Sequence, residues 1–351
     1  MSIREDFENR EKTFMSPHGC LSSNSRGRLR QEEPCPIRTV FQRDRDRIIY
    51  SNAFRRLKHK TQVFLSPMGD HYRTRLTHTL EVAEIARTIA RAMRLNEDLV
   101  EAIALGHDLG HTPFGHGGEV ALKEIYSKSF SHNEQSLRVV DLLENNGKGL
   151  NLTLEVRDGI LKHSKGYGPM VCNDSRECAL TVEGRILRVA DIIGYLNHDF
   201  DDAIRSGVIT LDQTPESCLK VIGKTHSQRA NTMIRDIIDS SRVVDGNLCI
   251  LISDELFAAM TVLREFLYEK VYRSPQVHKE FIKAKKILSD LYNYLLKNDK
   301  ILKEKLEDME MLAIYDSEQS KERVVCDLIA SMTDRYALKL YEEIFFPIPI
   351  V

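Results

Sequence analysis

An all-α fold is predicted by three observations. From Arg75 to Leu95 the apolar residues recur on a 3.6-residue period. Helix caps and glycine stops punctuate most of the chain beyond it. Strand-like runs such as VVDGNLCILI, 243–252, allow no more than a minor hairpin. Taken in order, residues 1–38, with HGC, SSNSRGR and EEPCP, carry no sustained apolar period and predict a mobile or loosely docked arm. After the 75–95 helix, Asn96 can cap a second helix whose first turn holds Glu97 and Asp98 and which should stop near Gly110. Further helices are predicted at 133–144, 153–163, 179–205, 215–223, 227–240, 254–272, 276–297 and 317–345. The chain thus divides into the arm 1–38, a helical core 39–245 and a C-terminal helical region 246–351 that packs on the core and completes its pocket.

The chain has 351 residues, with 50 Lys and Arg against 52 Asp and Glu. Its formal charge of -2 supplies no whole-molecule field toward nucleic acid or membrane, so any anionic partner must be met by a local patch. One such patch lies between Gln42 and Arg75, with nine basic residues (Arg43, Arg45, Arg47, Arg55, Arg56, Lys58, Lys60, Arg73, Arg75) against three aspartates. It reads either as a solvated helix face or as a contact for a polyphosphate or a DNA backbone. The seven cysteines are scattered without a CxxC, which argues against a disulfide framework or zinc ribbon and favours a reducing cytoplasm. No apolar run approaches the roughly 18 residues a membrane span needs, and no export signal is visible.

Seven of the twelve histidines fall between His59 and His132. Helical phase sorts them. His78 shares a face with Val82, Ile85 and Ile89, and His107 lies in phase with Val100 and Ile103, so both should point inward. A lone inward histidine is commonly a satisfied core residue. A buried aspartate beside one, Asp108 next to His107, is costly unless paired or metal-bound, although it could also accept hydrogen bonds from a neighbouring helix. Asp191 stands inside RILRVADIIGYL, a segment expected to be buried nearly all round, and needs a strong partner. Tyr195, His198 or Asp199, and Asp202 continue a polar stripe beyond it, either a pocket wall or an interhelical hydrogen-bond network. Together His78, His107, Asp108 and Asp191 offer two imidazoles and two carboxylates. That mixed N and O set suits Mn²⁺, Mg²⁺, Fe²⁺, Co²⁺ or Ni²⁺ better than a closed structural zinc site.

The ordered set His78, His107-Asp108, Asp191 resembles the HD superfamily of metal-dependent phosphohydrolases. FRRLKHKTQVF (54–64), RTRLTHTLEV (73–82), GHDLGHTPFGHGGE (106–119), SHNEQS (131–136) and ADIIGYLNHDFDDA (190–203) look like its deoxyguanosine triphosphate triphosphohydrolase branch, with the match spanning roughly residues 38–285. The resemblance makes 39–245 the metal-dependent core. It implies that a dNTP is split into deoxynucleoside and intact triphosphate, by attack of a metal-activated water on the α-phosphorus. It implies that His116 is the catalytic histidine, Glu119 the carboxylate that orients it, His111 and His132 histidines beside the phosphates, and Arg75 the arginine gripping them. Gln62, Tyr195, Asp199 and Tyr272 match positions lining the sugar and base pocket. Glu119 reads equally as a first-turn acid before VALKEI, and Ser131 to Glu134 reads as a capping box, which makes Glu134 structural. The resemblance further implies a homo-oligomer, with a hexamer as the commonest form, and an activating dNTP and single-stranded DNA as further partners. The competing readings are an HD phosphohydrolase acting on nucleoside monophosphates, cyclic nucleotides or guanosine polyphosphate alarmones, and a dNTP-sensing or nucleic-acid-binding module with a regulatory metal.

Overall fold

The computed structural model describes residues 1–63, 73–164, 170–172, 177–315 and 319–347. Among them the single sheet is a two-stranded antiparallel hairpin, Arg242–Val244 with Asn247–Cys249, and the rest of the regular structure is helix, as predicted. Among the described residues no helix is long and apolar enough to cross a membrane. The chain forms two compact units that interleave along the sequence. One comprises Met1–Ile49, His78–His107 and Asn151–Ser274; the other comprises Tyr50–Thr77, Asp108–Leu150 and Pro275–Val351.

The first unit is built around the Val182–Arg205 helix, on which Ile186, Leu187, Ala190, Ile193, Leu196 and Phe200 are wholly buried. A helix apolar on so many sides needs cover all round. The Glu97–Gly106, Leu154–Lys162, His226–Ser240 and Asp254–Leu267 helices supply it. Two glycines set one of the closest approaches. A Cβ at Gly159 would lie 2.7 Å from Ile103 side-chain atoms, and one at Gly106 2.6 Å from Ile160 Cδ1. The Glu97–Gly106 and Leu154–Lys162 helices can therefore pack with little between them, and each ends on a histidine, His107 and His163.

The N-terminal arm, expected to be mobile or loosely docked, is docked. It opens with an Ile3–Phe14 helix begun by a Ser2/Glu5 capping box. Polar pairing holds it where an apolar stripe is lacking. Glu11 accepts from Ser22 N and Oγ, and buried Glu183 accepts from Cys20 N at 2.9 Å and Asn96 N at 3.0 Å. The basic segment is also less open than its composition suggests. In this unit Arg43 pairs with Glu32, Arg45 with Asp98 and Glu101, and Arg47 with Glu32. Cys172 and Cys178, six residues apart, are joined in a disulfide; the scattered cysteine spacing argues against a framework, and this one bridge closes a local loop.

In the second unit the Pro275–Lys297 helix packs against the Gly115–Ile125, Lys321–Ser331 and Asp334–Phe345 helices. The helix expected to run to Gly110 ends at Gly106, and residues 107–110 form a turn. Gly110 explains the departure. Its N–H is taken by Ser136 Oγ at 2.9 Å, and a Cβ there would lie 2.1 Å from Ser136 N. The following turn is pinned from two sides: buried Lys60 donates to the carbonyls of His111 and Ala330, and Asp334 accepts from Thr61 N and from Phe114 N, both at 2.9 Å. Phe114 is left-handed, with φ 63°, just before Gly115 at φ 56°. The predicted 317–345 helix is two, broken where Thr333 caps the second by accepting from Tyr336 N; its first residues lie outside the described ones. The helices predicted at 133–144 and 254–272 turn into π-helical segments at Val139–Leu143 and Tyr268–Tyr272, a geometry frequent at functional sites.

Candidate metal centre

In the first unit, His78, His107, His163 and Asp191 converge. His78 Nε2 is 3.2 Å from Asp191 Oδ1, and His107 Nε2 is 4.0 Å from the same oxygen. Ligand-capable atoms of His107, His163 and Asp191 all lie within 4.8 Å of one another. The three imidazoles are buried, whereas the Asp191 side chain keeps 21% of its surface accessible. Burial alone would raise the Asp191 carboxyl; the hydrogen bond with His78 and the three surrounding imidazoles instead hold it well below the usual carboxylate range.

Each histidine has its Nδ1 committed elsewhere. His107 Nδ1 donates to Ala104 O at 2.6 Å, and His163 Nδ1 donates to Ile160 O at 2.7 Å. His78 Nδ1 lies 2.7 Å from His198 Nε2, His198 Nδ1 lies 2.7 Å from Asp199 Oδ1, and Tyr272 Oη donates to Asp199 Oδ2 at 2.6 Å. Burial and the Asp199 charge keep the Tyr272 phenol protonated well above its ordinary range. The Asp199 carboxylate beside His198 Nδ1 favours, by its charge, the tautomer in which His198 Nε2 accepts from His78 Nδ1–H. Nε2 is then the lone-pair nitrogen of His78, as it is of His107 and His163. Imidazole nitrogens beside an ionised carboxylate are a donor set that fits a divalent cation, with orienting partners of the kind metal-bound histidines use. The polar stripe after Asp191 thus joins a His78–His198 hydrogen bond to a Tyr272–Asp199 one through the His198–Asp199 ion-pair contact, with Tyr195 half-buried along the same helix.

The second unit gathers a different cluster. Asp108 is held by Arg75 Nη1 at 2.7 Å and lies 3.1 Å from His111 Nε2. His111 and His132 stack with ring centroids 4.0 Å apart. His132 Nδ1 is 3.0 Å from Glu119 Oε2, and Lys123 pairs with Glu119 Oε1 at 2.8 Å. Burial, reinforced by the Arg75 charge, pushes the His111 imidazolium well down, so this ring is neutral at physiological pH. Burial opposes ionisation of Glu119, but its hydrogen bonds with His132 and Lys123 keep it ionised, below the usual carboxylate range. His111 Nδ1 and Gln62 Oε1 are buried without a hydrogen-bond partner among the described residues.

The expected residues are therefore sorted as follows. His78, His107 and Asp191 come together in one unit, as do Asp199 and Tyr272. Arg75, Asp108, His111, Glu119 and His132 come together in the other. His116 departs from expectation: it is exposed, 6.4 Å ring to ring from Phe281, and Glu119 is engaged with His132 and Lys123 in its stead. The capping box at 131–134 is not formed, because the Ser131 side chain makes no capping hydrogen bond. The sequence reading does not single out His163, and it takes in His198 only as a member of the polar stripe after Asp191. The phase test that finds His107 would have found His163, which follows Val156 and Ile160 at steps of four and three.

The chain matches the model of the HD domain over residues 75–196 and that of the Phosphohydrolase-associated domain over 250–343. A deoxyguanosinetriphosphate triphosphohydrolase-like protein of Desulfatibacillum aliphaticivorans is 64% identical over 351 residues, covering 100% of both chains. Proteins of the same description from Caldanaerobacter subterraneus subsp. tengcongensis and Clostridium tetani are 53% and 43% identical, each over 99% of this chain and 97% of the relative.

Proposed function

Because the chain belongs to the deoxyguanosinetriphosphate triphosphohydrolase-like family of HD-domain proteins, we propose that it hydrolyses dGTP, or dNTPs more broadly, to deoxynucleoside and intact triphosphate. The observation that carries this reading is the approach of His78 and His107, with Nε2 as lone-pair nitrogen, to ionised Asp191. His78, His107 and Asp191 would hold a divalent ion, Mn²⁺, Mg²⁺, Fe²⁺, Co²⁺ or Ni²⁺, and Asp108 follows His107 directly in the chain as the fourth ligand of the family motif. When bound, such an ion lowers the pKa of water and polarises phosphoryl oxygens.

The chain's own residues do the rest. The Arg75 guanidinium presents a planar fork suited to phosphate oxygens. His111, kept neutral, places its Nε2 3.1 Å from Asp108 and brings no charge of its own to be desolvated beside the phosphates. Glu119, hydrogen-bonded to His132 Nδ1, fixes the orientation of that ring. His116, in the first turn of the Gly115–Ile125 helix, is the donor to the departing 5′ oxygen. Gln62, Tyr195, Asp199 and Tyr272 line the sugar and base, with the protonated Tyr272 phenol fixed by Asp199.

Elemental analysis and turnover of Asp191→Asn and His107→Ala test this reading. Both variants should lose the bound metal and the activity together while circular dichroism stays helical. Full metal content with full turnover in both would refute it. His116→Ala should retain metal and lose about 10² or more in turnover, the usual scale for general acid–base catalysis.

A further inference from the structure

We propose that His163 is an additional protein ligand to the metal, coordinating through Nε2, a role that rests on the metal reading above and extends it. The argument begins with local equivalence. His107 and His163 are the C-cap residues of two facing helices, with nearly the same backbone (φ -62°, ψ -37° and φ -66°, ψ -37°). Each directs Nδ1 back to the carbonyl three residues earlier, at 2.6 and 2.7 Å. That bond fixes the tautomer and points the opposite nitrogen away from the helix. What makes His107 a suitable ligand is therefore repeated, atom for atom, at His163.

Placement agrees. Gly106 and Gly159 let the two helices close until the rings sit 4.9 Å apart, centroid to centroid, at 78°. In that position the ligand-capable atoms of His163 lie within 4.8 Å of those of both His107 and Asp191. His163 is 2% exposed, so its ring faces the donor set with solvent excluded. A histidine retained only for packing would not need its Nε2 among an ionised carboxylate and a second Nε2.

Paramagnetic proton NMR of the full-length chain reconstituted with Co²⁺ tests the assignment. Each ligating imidazole carries an Nδ1–H in this structure, and a ligating ring gives one exchangeable, strongly shifted resonance. Wild-type protein should show three such signals, from His78, His107 and His163. His163→Gln should show two, with Co²⁺ binding in chelator competition weakened by more than the ~10–100-fold typical of an outer-shell partner. Two signals in Co²⁺-loaded wild type, or three in His163→Gln, would overturn the role of His163 and leave the metal reading standing. The wild-type signal count decides the matter even if the variant folds poorly. A wild-type chain that takes up no Co²⁺ would overturn the metal reading and this inference with it.

Discussion

The Nδ1 of His78 lies 2.7 Å from the Nε2 of His198, and through His198 it is linked to Asp199 and Tyr272. This relay fixes which nitrogen His78 offers to Asp191. Replacing His198 by Ala should leave the ligands in place but release the orientation and tautomer of one of them. Metal affinity should fall by about 10–100-fold. Chelator competition with Mn²⁺ checks it; unchanged affinity in a folded His198→Ala would mean that the relay orients nothing.

Gly110 has no room for a side chain. An added Cβ would meet Ser136 N at 2.1 Å and Gln135 C at 2.4 Å, both backbone atoms that cannot swing aside. Gly110→Ala should therefore destabilise the protein by about 1–3 kcal/mol, the range for overpacking. Urea unfolding measures it, and a variant as stable as wild type would show that the 107–110 turn is not held by this approach.

Glu32 sets a pH dependence of stability. Partial burial opposes its ionisation, but hydrogen bonds from Arg47 and Asn151 and the charges of Arg47 and Arg28 outweigh it and hold the carboxyl at about 2, below an ordinary 4.5. A carboxyl depressed in the fold contributes stability in full above its unfolded value and loses it as pH falls toward the folded one. Glu32→Gln should thus be less stable than wild type at pH 7, and the gap should narrow between pH 4.5 and 2. Parallel denaturation curves whose separation is constant over that window would contradict this.

Among the free cysteines, Cys35 should react first. Backbone hydrogen bonds from Arg38 and Ile37, with the Arg38 side chain, lower its thiol to about 7. Burial pushes Cys20 and Cys326 up to about 12. Iodoacetamide at pH 7.5 followed by peptide mapping should find Cys35 alkylated well ahead of both. Equal labelling would show that the Cys35 environment does not favour thiolate.

Helical phase made His78, His107 and Asp191 legible, because an inward position on a 3.6-residue period can be read without neighbours. The same phase reaches His163 through Val156 and Ile160, but no carboxylate stands next to it in the chain, as Asp108 does beside His107, to mark it as more than a core histidine. The pairing of Glu119 with His132 in preference to His116 was out of reach for another reason. Thirteen residues and a turn separate Glu119 from His132, and only the packed second unit decides which ring meets the carboxylate. The docked arm escaped notice because its cohesion is polar: Glu11 and Glu183 do in the fold what an apolar stripe would have advertised in the sequence. The break at Thr333 and the early stop at Gly106 are local competitions, a cap in one case and a close backbone approach in the other, that an apolar period does not register.

The central claim is the reaction class, and product analysis tests it most directly. Wild-type protein with Mn²⁺ or Mg²⁺ is given each dNTP in turn, and the products are resolved by anion exchange. The account predicts deoxynucleoside and intact triphosphate in equal amounts, and neither product from Asp191→Asn. Release of pyrophosphate or orthophosphate as the first product, or equal turnover by Asp191→Asn, would contradict it.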